Sequence, residues 1–450
     1  MRVHLRAPTA LVDEPLDAVV TGLAAGERVE LEAETRDAAG AVWRSVGRFA
    51  ADPRGVVRTR THASRGGTYA GTDRSGPTWS MAPADERAVP NVPPDRGVVQ
   101  TFADAQYAGA APVAIEVRAW SASGAAAETS AERWFGDPGV ADACVRDGGL
   151  RGRTFRPAGP PRAAVLALGG SSGGIVERQA RLLAARGYTV FALAYCGYED
   201  RPPHPRDLDI EYFEDALAWF RARTAPLPLA LIATSYGTQP AVHAAAAAPE
   251  HVDALLLLVP SHVLNMGLGE SFAVAGCFLR RRGRPLPYLT VDFDIAARVA
   301  AAQRDRVRDE IALSDYYLAA WRDAAPDPRV HLPIEAVRAP VLLVSGRDDA
   351  LWPSDYAAER LVERLRGADR RAPVWHVRQP GGHRAVDVPG HASWPCHLGE
   401  WSTAPPYVGF PLGGTPPTNG RAQFRTWQAV RAFLARRARP GPTLHEAAPA

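Results

Sequence analysis

The sequence predicts two domains, an all-β sandwich over residues 1–137 followed by a doubly wound, mostly parallel α/β domain over residues 138–440. Three observations support this prediction. A chain of 450 residues is long enough for two or three hydrophobic cores. Its first part alternates apolar and polar residues, whereas its second part has unbroken apolar runs separated by amphipathic stretches. The pattern changes near residues 136–139, where we place the boundary.

Alternation in the first part indicates strands that have one face on a core and the other in water. It is clearest in residues 29–34 and 113–120. Nothing in this part of the chain suggests catalysis. Turns between such segments occur at intervals suited to an all-β domain, and the residues that provide them are Gly22, Gly26, Asp37, Gly40, Asp52, Gly55, Gly66 and Gly67.

Continuous apolar segments connected by helices are typical of a parallel sheet that is buried on both faces. Residues 176–186 and 212–222 have amphipathic patterns suited to such connecting helices. Residues 264–325 do not follow this alternation of apolar runs and amphipathic stretches, and we expect them to form a cap over the sheet. The tail, residues 441–450, is expected to be disordered. The apolar runs themselves are residues 163–168, 190–194, 227–232, 252–259 and 340–344.

Composition excludes several classes of function. A net charge of +3 gives no indication of a nucleic-acid surface. All 52 basic residues are arginine, which excludes a P-loop lysine and a pyridoxal Schiff base. No apolar run approaches the ~20 residues of a membrane span, and the N-terminus has no secretory pattern. We therefore expect a cytoplasmic protein. Neither a metal site nor a disulfide framework is indicated by the widely spaced Cys144, Cys196, Cys277 and Cys396.

The most informative segment is residues 231–237, where an apolar run ends in Ser235 and an alanine-rich helical stretch follows. Ser235 has small residues, Ala233 and Gly237, two positions away on each side. This spacing is typical of a nucleophile elbow, a sharp strand-to-helix turn that exposes the serine hydroxyl. A larger side chain at either flanking position would collide with the turn.

A glycine-rich loop, residues 169–174, follows the apolar run that ends at Leu168. At the carboxyl end of a strand, such a loop can direct the backbone N–H of Ser171 toward a developing oxyanion, together with the N–H of Tyr236. Two other interpretations remain open for this loop. It is a simple connection between strand and helix, or it binds phosphate through its backbone.

The remaining groups needed for acyl transfer follow two further strand-like segments. Asp349 lies just after the apolar run 340–344 and is the candidate carboxylate, with Asp348 as the alternative. His383 follows two glycines after residues 374–377 and is the candidate base. The order serine, aspartate, histidine is that of α/β hydrolases. Histidines close to His383 in sequence are His376, His391 and His397.

A more specific resemblance is carried by short segments in both halves, namely residues 11–15, 22–23, 66–71, 76–83, 186–188, 192–200, 212–216, 413–416 and 422–427. With these segments the chain resembles the family of acyl-CoA thioesterases and bile acid-CoA:amino acid N-acyltransferases over nearly its whole length. The resemblance implies an immunoglobulin-like sandwich packed on an α/β-hydrolase domain. It also implies an acyl-CoA substrate, with coenzyme A as part of the substrate and no separate cofactor. By position, the family's triad corresponds to Ser235, Asp349 and His383.

In that family a serine nucleophile tends to accompany thioester hydrolysis, and a cysteine tends to accompany transfer to glycine or taurine. Ser235 therefore favours hydrolysis. Three alternatives stay open: an acyltransferase with an acceptor pocket under the cap, a serine esterase of specialised metabolism, and a non-catalytic acyl-binding protein. The oligomeric state is not determined by the sequence.

The chain departs from the family's pattern in two places. Thioesterases of the family usually have Gly-x-Ser-Lys-Gly at the elbow, where this chain has Ala233 and Tyr236, and the tyrosine ring is expected to reshape the pocket entrance. Residues 264–325 also match poorly. A basic segment, residues 280–284, offers arginines for coenzyme A phosphates, but a solvated loop is the simpler interpretation.

Overall fold

The computed structural model describes residues 1–36, 40–84, 111–269, 274–293, 295–305, 309–323, 327–368, 371–390, 397–400 and 408–437. Within these residues, the first part of the chain forms two principal β-sheets. The smaller sheet contains Arg2–Leu5, Ala18–Thr21 and Val57–Arg58. The larger sheet contains, in order, Thr9–Leu11, Ala126–Trp134, Val113–Ser121, Arg28–Arg36, Val42–Ala50 and Ala82–Pro83. A hairpin of Ser64–Arg65 and Ala70–Gly71 and a helical turn, Gly76–Trp79, complete this part.

Alternation along these strands separates a core face from a charged face. In Arg28–Arg36, the side chains of Val29, Leu31 and Ala33 are buried in a core shared by both sheets. On the other face, Glu34 accepts a hydrogen bond from Arg44 of the neighbouring strand at 2.6 Å. The period of two residues thus buries one face of the sheet, as the sequence predicted.

The second part of the chain is built around one eight-stranded sheet. Its second strand in space, Gly152–Arg156, runs antiparallel to both of its neighbours, and all the other strands run parallel to one another. This order and these directions are those of an α/β-hydrolase domain, which confirms the predicted fold class. In order across the sheet, the strands are Ala141–Val145, Gly152–Arg156, Tyr188–Leu193, Ala163–Leu168, Leu229–Thr234, Ala254–Leu258, Val341–Gly346 and Val374–Gln379.

Helices cover both faces of this sheet. Glu211–Thr224, Thr238–Ala247 and Ser354–Gly367 bury their apolar residues against one face. Glu177–Ala185 and Pro416–Arg437 pack on the other face, where the core continues into the sandwich. Within the described part of the chain, no helix combines the length and the apolar character that crossing a membrane would require.

The segment expected to form a cap is inserted between Ala254–Leu258 and Val341–Gly346. Phe278, Tyr317 and Trp321 of this segment are buried in the same core as the helices beside the sheet. Its strands are Met266–Leu268, Val274–Cys277, Leu279–Arg281, Arg284–Pro285 and Asp309–Glu310, and its helices are Ile295–Asp305 and Leu313–Asp323. Strands that pair with it or extend it are Leu208–Asp209, His397–Glu400 and Val408–Pro411.

The last sandwich strand ends at Trp134, and the first strand of the eight-stranded sheet begins at Ala141. The tail, residues 441–450, lies outside the described residues.

Candidate active site

Ser235 lies at the carboxyl end of the strand Leu229–Thr234 and begins the helical turn that leads into Thr238–Ala247. Its φ angle is +54°, in the left-handed region that a residue with a side chain rarely adopts. The neighbouring backbone is close. A Cβ atom on Gly237 would lie 2.1 Å from the carbonyl oxygen of Gly169, so only glycine fits there. Ser235 therefore occupies a sharp turn of the predicted kind.

The structure brings together the three side chains that sequence reasoning selected. His383 Nε2 lies 3.1 Å from Ser235 Oγ. On the other side of the ring, His383 Nδ1 lies 2.9 Å from Asp349 Oδ2 and 3.1 Å from Asp349 Oδ1. A base in this position can take the serine proton while the carboxylate orients the imidazole.

Asp349 is held in a buried, hydrogen-bonded position. Its side chain is 1% exposed. The backbone N–H groups of Leu351 and Trp352 donate to Asp349 Oδ1 at 3.1 and 3.2 Å, and the Ser354 hydroxyl donates to Oδ2 at 2.7 Å. These donors compensate for burying the negative charge. Asp348, the alternative carboxylate, is exposed to solvent and has no contact with His383.

The loop that carries His383 is anchored to the start of the helix Pro416–Arg437. Asn419 Oδ1 accepts a hydrogen bond from the Gly382 backbone at 2.8 Å, and the His383 N–H donates to the Leu412 carbonyl at 2.7 Å. A Cβ atom on Gly382 would lie 2.2 Å from the Gly413 carbonyl oxygen. Glycine at position 382 thus permits close packing of backbone against backbone.

The glycine-rich loop, residues 169–174, passes directly beside the nucleophile. A Cβ atom on Gly170 would lie 3.3 Å from Ser235 Cβ. The Tyr195 hydroxyl lies 2.8 Å from the Gly169 carbonyl oxygen and 2.5 Å from that of Gly170, so these two carbonyls point toward Tyr195. Among the described residues, none accepts a hydrogen bond from the backbone N–H of Ser171. The loop is therefore fixed near Ser235 with a backbone donor available.

The side chain of Tyr236 does not lie at a pocket entrance, and that expectation was wrong. Its ring is fully buried, stacks on Trp352 with centroids 5.5 Å apart, and contacts Phe278 of the inserted segment at 5.2 Å. Burial raises the pKa of this phenol well above its ordinary value, so the ring stays neutral. Tyr236 packs here because the inserted segment brings Phe278 and Tyr317 over the elbow.

The other candidates from the sequence lie elsewhere. His376 Nε2 is 2.7 Å from the hydroxyl oxygen of Ser345 and 3.7 Å from Asp355 Oδ1. His391 lies outside the described residues, and His397 is the first residue of a short strand. In the basic segment, Arg280 and Arg281 form ion pairs with acidic residues of their own chain, Asp209 and Glu214.

No metal centre is indicated by the part of the chain that the structure describes, because no three histidine, cysteine or acidic residues come together there. Free cysteines within it are Cys144, Cys196 and Cys277. Burial raises the pKa of Cys196 to about 12, and that of Cys277 is raised to about 11 by burial and by its contact with Asp207. Both therefore stay protonated thiols. Cys396 lies outside the described residues.

Three residues that support the site were missed by sequence reasoning. Ser354 binds Asp349, Asn419 binds the loop before His383, and Tyr195 binds the loop at residues 169–174. For Ser354 the signal is its closeness in sequence, since it lies only five residues after Asp349. For Tyr195 and Asn419 no local signal existed.

Comparison with known proteins finds similarity over most of the chain. A family model described as "Acyl-CoA thioester hydrolase/BAAT N-terminal region" matches residues 13–147, and one described as "BAAT / Acyl-CoA thioester hydrolase C terminal" matches residues 208–440. Human acyl-coenzyme A thioesterase 1 is 28% identical, with 94% of this chain and 93% of that protein covered. Mouse acyl-coenzyme A thioesterase 5 is 29% identical with the same coverage.

Two further similarities are found. Human mitochondrial acyl-coenzyme A thioesterase 2 is 28% identical, with 94% of this chain and 81% of that protein covered. Among solved structures, TT1662 from Thermus thermophilus is 18% identical, covers 66% of this chain and 98% of its own, and has a TM-score of 0.35. Since the two family models match both domains, the chain belongs to the acyl-CoA thioester hydrolase and bile acid-CoA:amino acid N-acyltransferase family.

Proposed function

We propose that this protein hydrolyses an acyl-CoA thioester to a free acid and coenzyme A through an acyl-enzyme on Ser235. The observation that carries the proposal is the 3.1 Å contact between Ser235 Oγ and His383 Nε2 at a strand-to-helix turn. Membership of a thioester hydrolase family adds the substrate class. The similarity to several proteins named acyl-coenzyme A thioesterases supports the same substrate.

The reaction would proceed in two halves. His383 Nε2 takes the proton of Ser235 as Oγ attacks the thioester carbonyl, and Asp349 stabilises the imidazolium that forms. The backbone N–H groups of Tyr236 and Ser171 hold the oxyanion. The carbon–sulfur bond then breaks, and the thiol of coenzyme A leaves with the proton from His383. In the second half, a water molecule gives a proton to His383 as it attacks the acyl-serine carbonyl. The carbon–Oγ bond then breaks, the acid leaves, and His383 returns the proton to Ser235 Oγ.

Serine at the nucleophile position favours water as the second acceptor. An acyl-serine ester and an acyl-cysteine thioester partition differently between water and amines, and cysteine is the nucleophile that tends to accompany amide formation in this family. Ser235 therefore favours hydrolysis over transfer.

The first experiment is mass spectrometry of the products formed from a series of acyl-CoAs, from acetyl to palmitoyl, with glycine and taurine present. We expect free acid and free coenzyme A, and Ser235→Ala should reduce kcat by at least ~10³-fold. Ser123→Ala, in an exposed turn of the sandwich, is the matched control and should keep wild-type turnover. Acyl-glycine or acyl-taurine as the product would establish an acyltransferase instead.

Two results would contradict the proposed chemistry. Near-normal turnover by Ser235→Ala would exclude the acyl-enzyme on this serine. Faster cleavage of oxygen esters than of matched CoA thioesters would indicate a serine esterase. If Ser235 also failed to react with a fluorophosphonate probe, a protein that only binds acyl groups would be the better description.

A further inference from the structure

A cavity of about 380 Å³ lies directly beside Ser235, on the side of the glycine-rich loop. Its inner wall includes Gly170 and Thr234, the residue that precedes the nucleophile. A Cβ atom on Gly170 would lie 3.6 Å from Ser235 Oγ, so this wall is in contact with the nucleophile. Residues 175–179 and 386–388 complete the lining. A volume of this size is typical of sites for small molecules.

Aromatic rings pack around two neighbours of the nucleophile, Tyr236 and His383. Tyr236 stacks on Trp352, and the Trp352 ring lies 6.0 Å from the His383 ring in an edge-to-face arrangement. Both aromatic side chains are buried. No aromatic side chain lines the cavity beside Gly170, and the cavity reaches Thr234, the neighbour of the nucleophile.

One polar side chain in this cavity has no hydrogen-bond partner within the described residues. Gln179 is 8% exposed, lines the cavity, and its amide makes no hydrogen bond to the protein. The hydroxyl of Thr234, at the inner wall, also has no hydrogen bond to another described residue. Both amide atoms stay accessible to water in the cavity, so a ligand that displaces this water must replace its hydrogen bonds or lose affinity. An amide kept in such a position suits a ligand that offers both a donor and an acceptor.

The charged groups at the rim are paired within the protein. Glu177 accepts a hydrogen bond from Arg181 at 2.9 Å, and Asp387 accepts one from Arg384 at 2.7 Å. The rest of the lining comprises Arg178, Gln179, Thr234 and small or aliphatic residues such as Ile175. Two carboxylates in this lining repel an anion, so the cavity fits a polar chain with amide groups better than it fits a phosphate.

We propose that this cavity holds the pantetheine arm of the coenzyme A thioester, with Gln179 hydrogen-bonded to one of its amide groups. The inference rests on the proposed function. A fatty acyl chain in the same cavity would leave the Gln179 amide buried and unpaired, at a cost in affinity, whereas the pantetheine amides satisfy it. The acyl chain then leaves Ser235 in another direction, and Gln179 contributes to recognition of the thiol rather than of the acid.

The test compares three octanoyl thioesters that differ only in the thiol: octanoyl-CoA, S-octanoyl pantetheine and S-octanoyl mercaptoethanol, which has no amide. Gln179→Leu should reduce kcat/KM about tenfold for the first two, mainly through KM, because one hydrogen bond is lost. Turnover of the mercaptoethanol thioester should stay within twofold of wild type. Gln428→Leu, on the exposed side of the last helix, is the matched control and should change none of the three.

Each other outcome overturns the inference. An equal loss for all three thioesters, no loss for octanoyl-CoA, or a loss that varies with acyl length rather than with the thiol would place another group in the cavity. If Gln179→Leu does not fold, Thr234→Val provides the same comparison at the inner wall. If the wild-type protein cleaves no thioester, the proposed function is overturned as well. If the wild type cleaves all three thioesters and Gln179→Leu does not change their relative kcat/KM values, this inference alone is overturned.

Discussion

Replacing Gly237 by alanine perturbs the contact that holds the nucleophile against the glycine-rich loop. Gly237 has a helical backbone with φ −63°, so alanine adopts it without strain. The added methyl group has no space. Its carbon would lie 2.1 Å from the Gly169 carbonyl oxygen and 3.2 Å from Leu168 Cβ. Because Gly169 begins the loop that contains Ser171, relief of this clash moves the loop away from Ser235.

The size of the effect follows from the distance. A Cβ atom is essentially never found closer than 3.0 Å to another heavy atom, so the backbone must separate by at least 0.9 Å. A misplacement of about 1 Å between reacting groups costs roughly 10²-fold in rate, and loss of one oxyanion donor costs roughly 10²–10³-fold. We expect kcat to fall about 10²-fold and the free energy of unfolding to fall by about 1–3 kcal/mol.

The assay measures kcat with octanoyl-CoA and the free energy of unfolding in urea for wild type and variant. Gly367→Ala is the control, since a Cβ atom at that helix end would meet nothing within 4 Å, and it should leave both quantities unchanged. A Gly237→Ala protein with kcat within twofold of wild type would refute the reasoning, because the loop would then tolerate the displacement or take no part in catalysis.

Two further predictions concern stability. The Asp13 side chain is fully buried and accepts hydrogen bonds from Arg186 and Trp427 across the domain interface. Asp13→Ala should therefore lower the free energy of unfolding in urea by about 3 kcal/mol. A loss of less than about 1 kcal/mol would contradict this expectation. Burial lowers the pKa of His262 from 6.5 to about 3. The folded state therefore binds fewer protons than the unfolded state between these pH values, and stability is lost as the pH falls below 6.5. His262→Phe should reduce the stability difference between pH 7 and pH 5 by about 2 kcal/mol, and an unchanged difference would show that this histidine is not responsible.

Periodicity in the sequence predicts elements whose burial follows a simple repeat. Residues 29–34 alternate, and the structure places them in the strand Arg28–Arg36 with alternate side chains buried. The strand Ala141–Val145 was not predicted, because it lies at the edge of the sheet and most of its side chains are at least partly exposed. The helix Pro416–Arg437 was also missed. Its first turn contains prolines and a glycine, and burial of Trp427 and Phe433 against the sheet stabilises it.

In the candidate site, too, local sequence patterns predicted some residues, and others depended on tertiary packing. Ser235 and His383 were selected because each follows a strand-like run and has a glycine within two positions, which is a local pattern. The choice between Asp348 and Asp349 was not local, since both follow the same strand, and it depends on which carboxylate the structure buries against His383. The position of the Tyr236 ring was predicted wrongly, because it depends on an inserted segment that has no clear periodic pattern.

By itself, the sequence determined the two fold classes, the elbow at Ser235 and the order of the three polar side chains, because strand periods and glycine-rich turns are encoded by residues close together in the chain. The tertiary structure alone decided which aspartate meets His383, how Tyr195 and Asn419 anchor the loops, and where the Gln179 amide is left without a partner. Those contacts join residues that are far apart in the chain, as with Tyr195 and Gly169, or Asn419 and Gly382. Only packing brings such groups within hydrogen-bonding distance, and burial decides how much each hydrogen bond contributes to stability.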